Sequence, residues 1–89
     1  MKVYIVEMFG YNGSHRYGIY SNIELAKNKL KEIFEEEKER YSKYGNDYKV
    51  EWSKFTKNIF NVKHYGKSQE YYKITEVYVI YEVEDGNNQ

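Results

Sequence analysis

Over residues 2–9 Tyr4, Val6 and Met8 fall on one side of an alternating pattern, and Val3, Ile5 and Phe9 on the other. A period of two predicts a strand, and with only Lys2 and Glu7 charged both of its faces are expected to be at least partly covered. The cluster at residues 10–14 predicts a turn, and residues 16–20 a short second strand that closes a hairpin. The period then changes. Ile23, Ala26, Leu30, Ile33, Phe34, Tyr41 and Tyr44 share one stripe of a long helix, with Lys27, Lys31, Glu35, Lys38 and Glu39 opposite. Ser21 and Glu24 have the spacing of a capping box, Tyr20 and Leu25 that of a hydrophobic staple, and Gly45 with Asn46 is the natural stop. Tyr48, Val50 and Trp52 alternate with Lys49, Glu51 and Ser53 as a third strand. Residues 56–58 predict a turn, Phe60 and Val62 a fourth strand, and residues 65–70 a polar loop around Gly66. Residues 72–84 predict the longest strand, with Val77, Val79, Tyr81 and Val83 on one face and Ile74, Tyr78 and Ile80 on the other. Apolar residues on both faces mark a central strand.

The order β-β-α-β-β-β predicts an α+β fold, a mostly antiparallel sheet with one long helix packed on one face. Residues 1–84 are expected to form a single compact domain, and residues 85–89 a frayed polar tail. The pattern supplies no cover for the second face of the sheet. An uncovered face rich in aromatic rings would be a binding platform.

Composition narrows the function. The chain has 89 residues, with 14 Lys and Arg balancing 14 Asp and Glu, and no Cys. Neutrality argues against a uniformly basic nucleic-acid binder and against an acidic nucleic-acid mimic. The lack of Cys removes disulfides, thiolate zinc sites and thiol nucleophiles, and it fits a cytoplasmic setting. No apolar run is long enough to suggest a membrane span. Twelve Tyr, four Phe and one Trp are more rings than a chain of this size is expected to hide. Exposed Tyr makes good contact area, although AT-rich codon usage would also raise the Tyr count.

Candidate chemistry is sparse. Ser14 and His15 are adjacent, with Glu7 and Asp47 elsewhere, but no oxyanion-hole signal accompanies them. His15 and His64 have no metal-ligand spacing, so neither a metal nor a cofactor is expected. A plain hairpin loop is the favoured explanation of the Gly10 and Gly13 spacing, and Arg16 makes this loop the best place for an anion. Glu32, Glu35, Glu36, Glu37 and Glu39 read as a solvated acidic helix face. Residues 49–73 carry six lysines against Glu51 and Glu70, interleaved with rings, while the stretch from Ile74 onward holds four acids and no base.

The opening M-K-V-Y-I-V, the stretch G-I-Y-S-N-I-E-L-A-K from Gly18 to Lys27 and the closing I-T-E-V-Y-V from Ile74 resemble small uncharacterised accessory proteins of bacteriophages and prophages. The resemblance covers about half of the chain and leaves residues 46–72 unmatched. It implies a strand hairpin, a capped helix and a final strand, and no catalytic residue. It also implies a context in which small proteins bind and block a host protein, including defence nucleases such as CRISPR effectors.

Together these features predict a non-enzymatic protein-binding module that occludes a surface of a larger host protein. The expected contacts are Tyr11, Arg16 and Tyr17 in the first hairpin and Trp52, Tyr65, Tyr71 and Tyr72 in the basic half, since rings and Arg make hot spots. The alternative is single-stranded nucleic acid or a nucleotide held by Lys54, Lys57, Lys63 and Lys67 with the neighbouring rings. Homodimerisation through the uncovered face or an edge strand is compatible with both.

Overall fold

Strand β1 (Lys2–Gly10) turns through Tyr11 and Asn12 into β2 (Gly13–Tyr20). Gly10 pairs with Gly13 across this two-residue turn, and Gly13 takes the positive φ of 111° that closes it. The structure is a computed structural model that describes residues 1–67 and 70–84. The tail expected at 85–89, and positions 68 and 69 of the expected polar loop, lie outside these residues. Helix α1 (Ile23–Ser42) follows the hairpin, then β3 (Tyr48–Trp52), β4 (Ile59–His64) and β5 (Lys73–Glu84). The five strands form one antiparallel sheet in the order β2-β1-β5-β4-β3. The strand with apolar residues on both faces is thus the central one, held by β1 on one side and β4 on the other.

The helix begins one residue later than the capping-box reading places it. Asn22, not Ser21, is the cap: its side-chain oxygen accepts the Glu24 N–H at 2.7 Å. Leu25 thereby leaves the staple position and is 51% exposed. Ala26, Leu30, Ile33 and Phe34 are buried as the stripe predicts, and Glu37 is buried with them. Glu37 therefore does not belong to the solvated acidic face.

The helix covers the sheet face made by Tyr4, Val6 and Met8 of β1, Tyr78 and Ile80 of β5, Phe60 and Val62 of β4, and Tyr48, Val50 and Trp52 of β3. Register slips between Val6 and Glu7, where Tyr17 is the extra residue of β2. This bulge turns Tyr17 inward onto the core, where it meets the Tyr78 ring at 6.2 Å. Most of the surplus rings are thereby accounted for. Phe34 stacks on Trp52 at 4.7 Å, and Phe60 lies flat on Tyr78 at 4.4 Å. The aromatic residues fill the layer under the helix instead of making the uncovered face.

Candidate functional site

The sheet face turned away from the helix is the larger candidate. Strand alternation places Val3, Ile5, Glu7 and Phe9 of β1 on it, opposite Val83, Tyr81, Val79 and Val77 of β5. Ile19 lies beside Ile5, and Ile59 beside Val79. No element among the described residues covers this surface. Phe9 is 45% exposed, Ile19 56% and Val83 37%. Four strands about 4.8 Å apart, each some eight residues long and presenting every second side chain, span a footprint of roughly 500 Å². An uncovered face with exposed apolar side chains is a candidate docking surface. The face is aliphatic with one ring on each central strand, which corrects the expectation of an aromatic platform.

Its polar groups are already matched. Glu7 is buried at the centre, where the Tyr81 hydroxyl donates to its carboxylate at 2.5 Å and the Arg16 guanidinium stands 4.0 Å away. That hydrogen bond to Glu7 is the main cause of the raised Tyr81 pKa. On the β3–β4 side Lys63 donates to Glu51 at 2.9 Å and lies over the Tyr72 ring at 4.5 Å, while Lys49 lies over Tyr65 at 4.9 Å. The bond to Glu51 holds the Lys63 pKa above the ordinary lysine value. A partner covering this face would meet apolar side chains, the ion pairs of Glu7 with Arg16 and Glu51 with Lys63, and the Lys49 ammonium over Tyr65.

The residues expected at a protein contact divide accordingly. Arg16, Tyr65 and Tyr72 border the open face. Tyr71, 76% exposed, precedes β5 beside Tyr72, and Tyr11 stands exposed at the tip of the first hairpin. Tyr17 and Trp52 are half-buried under the helix and form part of the core layer. The four lysines of the nucleic-acid reading do not share one surface. Lys54 and the ion-paired Lys63 line one cleft with Trp52 and Tyr72, Lys67 is exposed in a loop, and Lys57 borders a cleft on the helix side with Lys27, Lys31, Glu35 and Trp52.

A polar network that the sequence reading missed lies at the C-terminal end of the helix. The Tyr78 hydroxyl lies 2.9 Å from Glu37 and 3.0 Å from Glu76, and its single proton serves both carboxylates. Arg40 pairs with Glu37 and reaches Glu76 at 3.9 Å, and the Tyr41 hydroxyl donates to Glu76 at 3.4 Å. Burial, then Glu76 and Glu37, push the Tyr78 pKa up; burial, then Glu76, push Tyr41 up to about 12. Glu37 was legible as part of the stripe, three residues beyond Phe34 and four before Tyr41. Its strand partner Tyr78 was not, because it lies 41 residues away, whereas Arg40 is three residues on in the same helix.

His15 packs edge-on against Tyr17 at 4.6 Å, and Glu7 lies on the opposite face of the sheet, so this histidine and carboxylate do not form a catalytic pair. His64 stacks on Tyr48 at 4.5 Å. No group of three metal-ligating side chains occurs among the described residues, and no helix there is long and apolar enough to cross a membrane. No protein-family model, curated protein or solved structure matches the chain.

Proposed function

We propose that this protein is a non-enzymatic protein-binding module that covers a surface of a larger host protein in the cytoplasm, with the uncovered sheet face as its contact. The observation that carries the reading is that face: uncovered, largely aliphatic around the buried Glu7, bordered by Arg16, Tyr65 and Tyr72, with each of its buried polar atoms already hydrogen-bonded. Burying such a surface gains apolar contact without stranding a charge. The resemblance to phage accessory proteins supplies the kind of target, a host enzyme such as a defence nuclease, blocked by occlusion. The central carboxylates Glu7 and Glu37 are engaged by Tyr81, Arg16, Tyr78 and Arg40, which fits structural roles.

The test compares tagged wild-type chain with Ile19→Lys and Val79→Lys in captures from bacterial lysate, after circular dichroism shows both variants folded. A specific protein retained by wild type and lost by both variants is the expected result. Equal capture by all three chains would remove the face from the contact. A change in oligomeric state alone would assign the face to a second copy of this chain.

The nucleic-acid reading keeps two supporting observations: Lys27, Lys31 and Lys57 line one cleft with Glu35 and Trp52, and Lys54 and Lys63 line another with Trp52 and Tyr72. It predicts that Trp52 fluorescence is quenched by oligo-dT and that affinity falls steeply with salt. Quenching that persists unchanged in Lys57→Gln would count against it.

A further inference from the structure

The end of the sheet nearest the helix C-terminus holds a second candidate, independent of the open face. β1 ends there, β2 begins, β3 and β5 start and β4 finishes, so five strand ends and the last turns of α1 enclose a cleft of about 370 Å³. That volume suits a small ligand or one side chain of a partner. The 10–13 hairpin forms part of its wall, and the sequence suggested an anion at this loop because Arg16 follows. The structure reverses the sign. Arg16 lies on the opposite face of the sheet with Glu7, whereas the cleft is lined by Glu76 and by neither Lys nor Arg among the described residues.

Charge and ring geometry both favour a cation. Glu37 and Glu76 share the Tyr78 hydroxyl and one guanidinium, that of Arg40. Two carboxylates against one cation leave one negative charge, and Glu76 carries it to the cleft with its side chain only 20% exposed. The negative end of the α1 dipole adds to the same potential. Rings line the cleft: Tyr48 and His64, stacked on each other, Tyr41, which lies 4.9 Å from Tyr48 and carries Arg40 over its face, and the exposed Tyr11. Arg40 does not occupy the space; it lies over the Tyr41 ring and is not part of the lining. An aromatic lining beside a partly desolvated carboxylate suits an organic cation.

We propose that this cleft binds an alkylammonium or guanidinium group, the chemistry of a lysine or arginine side chain, between the rings of Tyr11, Tyr41, Tyr48 and His64 with Glu76 as counter-ion. A free amine and a side chain on a partner protein offer the same group, and the experiment separates them. The full chain, labelled with ¹⁵N, is titrated with n-butylammonium, with Nα-acetyl-arginine amide and with a short lysine-containing peptide. Sodium chloride at equal ionic strength and n-butanol serve as controls. Saturable shifts confined to Gly10, Gly13, Thr75 and Glu76 are expected, with dissociation constants of about millimolar order for so small a group. Tighter binding of the peptide assigns the site to a partner's side chain, and equal binding of the amine assigns it to a small cation. Glu76→Gln is expected to weaken binding about tenfold, the loss of one favourable charge contact. Tyr11→Ala, exposed and outside the core, removes one wall without threatening the fold, and a severalfold loss is expected. Shifts matched by sodium chloride or by n-butanol, or wild-type affinity in both variants, would overturn the site. None of these outcomes depends on the open face, so the two readings fail separately.

Discussion

At Glu37 the helix stripe carries a carboxylate where its period asks for an apolar side chain. A buried carboxylate is tolerated when donors surround it, and here Arg40 and the Tyr78 hydroxyl do so. Tyr78→Phe would leave Glu37 and Glu76 without the proton they share. It is expected to cost about 1–3 kcal/mol in urea denaturation near neutral pH. The same phenol sets an alkaline limit. Tyr78 and Tyr41 both have folded pKa values above the ordinary tyrosine value of 10, with Tyr41 at about 12. A group raised in the folded state contributes its full stability below its unfolded pKa and loses it as pH climbs toward the folded value. Stability is therefore expected to hold to about pH 10 and then fall, by up to about 1.4 kcal/mol per pH unit for each phenol. Urea midpoints on either side of that pH check it, and a midpoint flat to pH 12 would refute it. The Tyr78→Phe chain should show a shallower alkaline loss. Spacing alone puts Glu37 on the stripe; the sharing of one proton between a helix and a strand depends on tertiary register, which no local pattern encodes.

Among the elements, helix start and sheet order differ in how far the sequence discloses them. Ser21, Asn22 and Glu24 offer two caps one residue apart, and both obey the same preferences. The choice falls to Asn22 because Ile23 is the first residue of the helix and Ala26 must face the core. Asn22→Ala is expected to cost about 1 kcal/mol, and Ser21→Ala less than about 0.5 kcal/mol. Thermal melts of the two variants separate the cap assignments, and the reverse ranking would restore Ser21. The central place of β5 was legible, since a strand apolar on both faces needs cover on both. The inward turn of Tyr17 was not. It depends on a register slip opposite Val6 and Glu7, and alternation counted along one strand cannot see a bulge in a pair.

For the molecule as a whole, alternation sorts side chains into two faces without saying which one receives the helix. In β5 the set Val77, Val79, Tyr81 and Val83 and the set led by Tyr78 and Ile80 are both apolar, so the candidate contact surface could be foreseen only as a face lacking cover. Its aliphatic character follows from the rings being drawn under α1. The two faces should respond differently to the same substitution. Val62→Ala, in the fully buried layer, is expected to cost about 2 kcal/mol. Val79→Ala, on the open face, is expected to cost about half as much or less. Chemical denaturation of the pair decides, and equal costs would mean that something covers the open face in solution. The strand order carries one more consequence, for the chain during synthesis. The β1–β2 and β3–β4 hairpins are joined into one sheet only by β5, which the ribosome makes after all the others. Until then each nascent hairpin presents an unpaired inner edge, and α1 has only half a floor to rest on. A chain stopped after Tyr72 should therefore show no cooperative thermal transition, and it is this unfinished species, rather than the completed protein, that chaperones would hold.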